Sequence, residues 1–215
     1  MGFPAELDHL VYAVPDLAEG TAAFEELAGV RPAAGGRHPV GSANTLVALT
    51  VGGERAPHYL EIIGPDPERA DPGRPVGVFG LARLERAHLA TFAVGTDDLA
   101  GAVARARAAG YDPGDPEPWS RATPEGRELR WLLAKRESER YPEPVPFLID
   151  WGETPQPGLG DLPALELVSV RAEHPDPGAV GKALAALGVG LEVEEGAEPL
   201  LEAVLRGPKG EFVLR

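Results

Sequence analysis

Apolar and polar residues alternate along short runs of this chain, and an alanine-rich segment with helical spacing follows each run. The first run, residues 7–14, places His9 and Ala13 on one face of a predicted strand. Asp16 can cap the helix that follows, and Gly29 is suited to end it. The pattern therefore predicts a strand, a turn and an amphipathic helix at the start of the chain.

The same unit recurs twice, and the glycines that end the helices mark the repeat. Gly29, Gly110 and Gly188 each follow an alanine-rich helix and recur about every 80 residues. Each unit continues with three further extended runs, so the sequence predicts an α+β fold made of repeated βαβββ modules. We expect residues 1–155 to contain two paired modules, and residues 160–215 a third module that packs on them or on a partner chain.

The last strands of the first two modules carry carboxylates among apolar residues. The run His58–Ile63 puts Tyr59 and Glu61 on one face, and Asp150 ends a comparable run in the second module. A buried carboxylate without a partner is strongly destabilising. Glu61 is therefore expected to face solvent, to bind a metal ion or to pair with an arginine such as Arg121.

Composition and charge argue against several classes of function. The formal net charge is −14 and the acidic residues are spread along the chain, which argues against nucleic-acid binding. There is no cysteine, so disulfides and thiol chemistry are absent. The first residues lack the features of a signal peptide, and no run approaches the roughly 18 apolar residues of a membrane span. We expect a cytoplasmic protein that does not bind membranes.

Several motifs, in order along the chain, resemble those of the vicinal oxygen chelate superfamily, and within it the glyoxalase-like proteins. The segments that carry the resemblance are LDHLVYAVPDL, GGRHPVGSANTL, YLEIIGPDP, SRATPEGRELRW and PFLIDWG. The resemblance implies that two modules form an open barrel around a small-molecule site. Many members of the superfamily bind a divalent metal there, through ligands on the first and last strands of two modules.

The resemblance implies a metal site formed by His9, Glu61 and Asp150, with Zn²⁺, Mn²⁺, Fe²⁺ or Ni²⁺ as candidate ions. His88 is the candidate for a fourth ligand. However, aligning the two opening strands places Leu89, and not His88, at the position of His9, so His88 faces inward only if the strand contains a bulge. A site with three ligands can hold a metal, whereas a site that lacks its second histidine can remain without a metal. Both alternatives stay open.

Two functions are consistent with this resemblance. The first is an enzyme of the lyase, isomerase or ring-cleaving oxygenase type, in which Glu61 or Asp150 moves a proton and a metal, where present, polarises substrate oxygens. The second is a metal-free protein that sequesters a small molecule in the same cleft. In both cases the expected ligand contacts are His38, Asn44, Tyr59, Arg121 and Trp131, although His38 and Asn44 are equally ordinary turn residues.

Arg121 lies in the segment that, by the resemblance, borders the mouth of the second module. Because a guanidinium group binds a carboxylate through two parallel hydrogen bonds, an inward-facing Arg121 predicts a small organic acid as the ligand. The alternative is an ion pair with Glu61 or Asp150, which would neutralise the cleft. The third module has no histidine on its opening strand, and we interpret it as a structural unit that covers the sheet or forms a homodimer.

Overall fold

The first module has the predicted order of one strand, one helix and three strands. The computed structural model describes residues 6–69, 71, 73–136, 138 and 141–215. The elements of this module are β1 (Leu7–Ala13), α1 (Leu17–Ala28), β2 (Ala33–Arg37), β3 (Ser42–Val51) and β4 (Glu54–Pro65). The side chain of Asp16 accepts a hydrogen bond of 2.9 Å from the backbone N–H of Glu19. Gly29 ends the helix with a φ of 73°, as its position predicts.

The second module repeats this order. Its elements are β5 (His88–Gly95), α2 (Leu99–Ala108), β6 (Pro116–Ala122), β7 (Glu128–Ala134) and β8 (Phe147–Asp150). Asp98 caps the helix by accepting a hydrogen bond of 2.9 Å from the backbone N–H of Gly101. A short 3-10 turn, Leu81–Arg83, lies in the connection between the two modules.

The first two modules form a barrel of eight strands. Within each module the first and last strands are parallel neighbours, β1 with β4 and β5 with β8, and the two modules join through the antiparallel pair β1–β5. The remaining pairings complete the circuit through β3–β4, β2–β3, β6–β7 and β7–β8. A single pair, Arg37 with Ala122, joins β2 to β6. The predicted α+β fold is confirmed, but the expected open barrel is closed by this short seam.

The third module has the same order of elements but different strand pairing. It comprises β9 (Ala164–His174), α3 (Pro177–Leu187), β10 (Val193–Glu195), β11 (Leu200–Gly207) and β12 (Gly210–Leu214). Here the first strand pairs with β11 in the antiparallel direction, and β11 pairs with β12. Residues 164–166 of β9 also pair with residues 48–50 of β3, so this module extends the sheet of the first module.

Apolar side chains pack on both faces of the barrel wall. One cluster fills the barrel interior and includes Val11, Ala93 and Trp131. The other covers the outer face, includes Leu10 and Leu205, and draws residues from all three modules. The alternation of side chains along each strand therefore separates the cavity-forming residues from those that bind the helices and the third module.

The three α-helices among the described residues are short, with 12, 10 and 11 residues. A helix that crosses a bilayer needs about 20 residues that are mostly apolar. Within the described ranges, no helix has the length and apolar content that a membrane crossing requires.

Candidate active site

A small cavity lies inside the barrel, between the wall of β1 and β4 and the wall of β7 and β8. Its volume of about 40 Å³ exceeds the roughly 10–15 Å³ that one water molecule needs, and is far below the ~300–1,000 Å³ of typical ligand pockets. Its aromatic lining consists of Tyr59, Phe79, Trp119, Trp131, Phe147 and Trp151. Its polar lining consists of His9, His38, Ser42, Asn44, Glu61, Arg121 and Lys135. The cavity thus holds a few hydrogen-bonding and proton-transfer groups inside an apolar enclosure.

The side chains of Asp8 and His9 meet although the residues are consecutive in one strand. In the β1–β5 ladder, Leu7 pairs with Val94. The next pair is His9 with Ala93, so Asp8 is an extra residue and forms a β-bulge. The bulge brings Asp8 Oδ1 to 2.7 Å from His9 Nδ1. Because a carboxylate accepts hydrogen bonds, Nδ1 is the donor, and in a neutral imidazole Nε2 then keeps its lone pair.

Two further donors hold the buried carboxylate of Asp8 in place. Trp151 Nε1 donates to Asp8 Oδ2 at 3.1 Å, and Gln156 Nε2 donates to the same oxygen at 3.3 Å. Gln156 also donates to the backbone carbonyl of Pro57 at 2.8 Å. The segment that follows the second module therefore fixes Asp8, and through Asp8 the orientation of the His9 ring.

Glu61 faces His9 inside the barrel. The strand register pairs Val11 with Glu61, which puts the carboxylate on the same face as His9. Glu61 Oε2 lies 3.8 Å from His9 Nε2, a distance longer than a hydrogen bond. Asn44 Nδ2 donates to the other oxygen, Oε1, at 2.5 Å. The two proton-accepting atoms that face each other are therefore His9 Nε2 and Glu61 Oε2.

Aromatic rings hold the His9 imidazole from two sides. Tyr59 stacks on it with a centroid distance of 4.5 Å, and Phe147 meets it edge-on at 5.5 Å. Burial raises the pKa of Tyr59 well above its usual value, and the nearby carboxylates of Asp8 and Glu61 raise it further. The Tyr59 hydroxyl therefore stays protonated and is available as a hydrogen-bond donor.

Arg121 is a buried cation. Its side chain is 4% exposed, and burial lowers the pKa of its guanidinium, an effect that Tyr59 and Glu61 partly offset. Nη1 has no hydrogen-bond partner in the part of the chain that the structure describes. Within the same part, no carboxylate lies within the 4.0 Å of an ion pair, so the expected alternative of a direct pair with Glu61 or Asp150 does not form.

His38 lines the cavity close to Trp131. Its Nδ1 is 3.1 Å from the hydroxyl of Ser42, and its ring meets the Trp131 ring edge-on at 6.2 Å. Burial lowers the pKa of His38, against a smaller opposing effect of the Glu61 carboxylate. His38 is therefore a neutral group that can donate or accept a hydrogen bond.

Most of the residues proposed from the sequence come together in this cavity. His9 and Glu61 lie in its wall as expected. The expected ligand contacts also line it: His38, Asn44, Tyr59, Arg121 and Trp131. Their positions agree with the sequence analysis, and their roles stay predictions.

Asp150 is not in the cavity, which corrects its expected position beside Glu61. In β8 the residues that line the cavity are Phe147 and Ile149, so Asp150 points to the outer face with Leu132, its partner on β7. Its carboxylate accepts a hydrogen bond of 2.8 Å from the backbone N–H of Gly152. Side chains alternate between the two faces of a strand. Because Asp150 follows the inward-facing Ile149, its side chain points away from the site.

His88 is also outside the cavity, although its strand contains the bulge that an inward His88 requires. A register shift at Ala90 lets His88 pair with Ala13, whose side chain faces the barrel interior. The residue opposite His9 is Ala93. The bulge turns His88 to the inner face of the strand. However, His88 pairs with Ala13 and lies several residues from the position opposite His9, so this histidine does not reach His9.

The donor groups of the cavity do not fit the metal site that the family resemblance implies. Asp150 and His88 lie elsewhere, and the residues of β8 that line the cavity are apolar. Among the described residues there is no group of three or more His, Cys, Asp or Glu side chains that could hold a metal ion. His9 and Glu61 alone provide fewer ligands than the three or four that protein zinc sites use.

Sequence reasoning missed several cavity residues. Asp8 lies behind His9, and alternation along a strand predicts instead that it points away from His9, which the bulge reverses. Phe79, Trp119, Lys135 and Trp151 lie in connecting or strand segments whose approach to the cavity is set by tertiary packing. The tryptophans were the available signal, since a buried indole N–H commonly marks a polar partner.

The sequence was compared with protein families and with curated proteins. The family model described as a glyoxalase-like domain matches residues 7–188. This match covers both barrel modules and continues through the first strand and the helix of the third. No curated protein matches the sequence.

The fold was compared with solved structures. A hypothetical protein from Staphylococcus aureus superposes with a TM-score of 0.62 at 14% identity, over 96% of this chain and 84% of that one. A mutant of 4-hydroxymandelate synthase from Streptomyces coelicolor gives 0.47 at 18% identity, over 99% of this chain and 62% of that one. A variant of methylmalonyl-CoA epimerase from the same organism, in complex with 2-nitronate-propionyl-CoA, gives 0.42 at 18% identity, over 70% of this chain and 97% of that one.

Proposed function

We propose that this chain, which belongs to the family of glyoxalase-like domains, is an enzyme that moves a proton on a small molecule bound inside the barrel. The observation that carries the proposal is the relation between His9 and Glu61. A free imidazole lone pair and a carboxylate oxygen face each other at 3.8 Å inside an enclosed cavity. Paired proton-transfer groups in a cavity with a mostly apolar lining are an arrangement that general acid–base catalysis can use.

The proposed chemistry is the transfer of a proton to and from a carbon next to a carbonyl group. Glu61 Oε2 and His9 Nε2 are close enough to contact neighbouring atoms of one substrate. Glu61 Oε2 removes the proton from carbon, which leaves an enolate and a protonated Glu61, and Glu61 then returns that proton to the enolate at the same or the adjacent carbon. His9 Nε2 takes a proton from a substrate hydroxyl and gives it back to the neighbouring oxygen, so the substrate isomerises without net gain or loss of protons. Asp8 keeps His9 in the tautomer that this transfer requires.

This assignment selects the isomerase or lyase type among the enzyme classes that the sequence suggested. Neither proton transfer depends on a metal, and we assign no step to one because the cavity lacks a sufficient ligand set. The cytoplasmic location and the homodimer stay predictions from the sequence.

The proposal can be tested by solvent deuterium exchange without knowledge of the natural substrate. The protein is incubated in D₂O with a panel of small aldehydes, ketones and 2-oxo acids, and loss of the C–H signal is followed by ¹H NMR. We expect at least one compound to exchange faster than its uncatalysed rate. Glu61→Gln and His9→Gln should each lower that rate by about 10²- to 10⁴-fold, the usual contribution of a general acid–base group.

A matched control is Asp150→Asn, which removes a carboxylate from the outer face of the same barrel and should leave exchange unchanged. Binding of each compound is measured in parallel from the shift in thermal unfolding. Compounds that stabilise the protein but never exchange above background would contradict the proposal and favour the alternative, a protein that sequesters its ligand. Equal exchange by the wild-type protein and Glu61→Gln would also contradict it.

A further inference from the structure

We infer that the ligand of this cavity is a small organic acid whose carboxylate binds Arg121. The inference rests on the proposed function only in taking the barrel cavity as the ligand site, and it adds the chemical class of the ligand. The observation behind the inference is that Arg121 is 4% exposed, lines the cavity and has no ion pair with any described residue.

A buried cation without a counter-charge is costly, so the protein gains if a ligand supplies the charge. Removing a charged group from water is strongly unfavourable unless it is paired and hydrogen-bonded. Tyr59 and then Glu61 raise the pKa of Arg121 against the effect of burial, but Glu61 Oε1 binds Asn44 and its Oε2 faces His9. A ligand carboxylate can provide both the charge and the two acceptors that a guanidinium fork needs.

Two glycines of β2 lie beside the Arg121 guanidinium. A Cβ at Gly35 would be 3.0 Å from Arg121 Nη1, and a Cβ at Gly36 would be 3.1 Å from it. The Cβ of Gly35 would also overlap the side-chain oxygen of Asn44. These glycines are in β2 at the barrel seam, where they leave the space beside Nη1 that a Cβ would crowd.

The size and charge of the cavity favour a small monocarboxylate over a larger or doubly charged anion. The volume of about 40 Å³ accepts few atoms without movement of the surrounding rings. The cavity wall also holds Glu61, with Asp8 directly behind His9, and these carboxylates repel a second negative charge on the ligand. The other cation of the wall, Lys135, has its ammonium 5.0 Å from the centre of the Phe79 ring, which places it at that ring.

The test compares small acids with their primary amides, which have nearly the same shape but no charge. Binding of each acid–amide pair is measured by calorimetry, so the result does not depend on turnover. We expect the wild-type protein to prefer an acid to its amide by at least about tenfold, as charge-assisted hydrogen bonds usually provide. Arg121→Met should remove this preference, whereas Arg130→Met, which breaks an exposed pair with Glu128, should keep it.

Three results would overturn the inference. They are equal binding of acid and amide by the wild-type protein, an acid preference that survives in Arg121→Met, and inorganic phosphate binding more tightly than any acid.

If Arg121→Met does not fold, Arg121→Lys is the second variant. It keeps the charge but loses the two-pronged guanidinium contact, and we expect it to retain a weaker acid preference. An undiminished preference in Arg121→Lys would also contradict the two-pronged contact. Acid binding without deuterium exchange would refute the proposed function alone.

Discussion

The carboxylate of Asp8 is 2.7 Å from the imidazole of His9 because a β-bulge turns two consecutive side chains toward each other. Replacing Asp8 by Asn removes a buried charge that accepts from three side-chain donors, and an amide can present its N–H₂ to the ring instead. We expect the free energy of unfolding to fall by about 1–3 kcal/mol. Urea unfolding followed by circular dichroism measures this change.

The same substitution should also change the exchange chemistry. With the wrong tautomer of His9, deuterium exchange should slow while ligand binding persists, because the cavity wall is unaltered. Asp150→Asn serves as the matched variant for stability too, since Asp150 accepts a hydrogen bond from the backbone of Gly152 at a surface turn. A stability loss in Asp150→Asn as large as that in Asp8→Asn would show that the bulge has no special role.

A methyl group at Gly35 should destabilise the protein. Its Cβ would overlap the side chain of Asn44 and crowd Arg121, so the buried site must shift. We expect Gly35→Ala to cost about 1–3 kcal/mol, as overpacked positions do. Gly181→Ala is the contrasting control, because Gly181 is in α3 with open space around it and alanine favours a helix. The control should raise the midpoint of thermal unfolding, and a fall in both variants would contradict this account.

Phe79 adopts a left-handed backbone conformation, with a φ of 49°, where its ring covers the cavity. Alanine and glycine at this position both lose the ring contacts with Tyr141 and Phe147. Because only glycine tolerates this φ without strain, Phe79→Gly should be more stable than Phe79→Ala by about 0.4–1 kcal/mol. At Val78 the order should reverse, with glycine less stable than alanine. Chemical unfolding of the four variants checks both orders.

His38 should make the protein sensitive to mild acid. Burial lowers its pKa below the usual 6.5, so the unfolded chain takes up a proton that the folded protein does not. Stability therefore rises with pH between the folded pKa and 6.5, and falls as the pH is lowered through this range. His38→Gln should remove part of that slope in unfolding curves measured between pH 5 and pH 7.5. Identical slopes in the two proteins would show that His38 does not contribute.

Residues 160–215 should be required for a cooperative fold. Leu165 and Leu167 belong to the apolar cluster that also contains Leu49 and Leu60 of the first module. Truncation after Gly160 would expose this cluster and one edge of β3. We expect the truncated chain to aggregate or to unfold without a sharp transition. A soluble truncated protein with an unchanged cooperative transition and association state would mean that the first two modules fold without the third.

The alternation of residues along the strands was sufficient to predict much of this structure. Three βαβββ modules, their helix caps and the inward direction of His9, Tyr59 and Glu61 follow from local sequence. These features are local because a strand has a period of two and a helix a period of 3.6, and caps depend on neighbouring residues.

Tertiary structure decided that Asp8 joins the site and that Asp150 and His88 stay outside it. The bulges at Asp8 and Ala90 and the phase of Asp150 depend on pairing between distant strands, and a shift of one residue reverses the face of a side chain. The same holds for the barrel seam between β2 and β6, and for the attachment of β9 to β3. No local pattern records these pairings, because their stability arises from contacts that form only when the modules pack together.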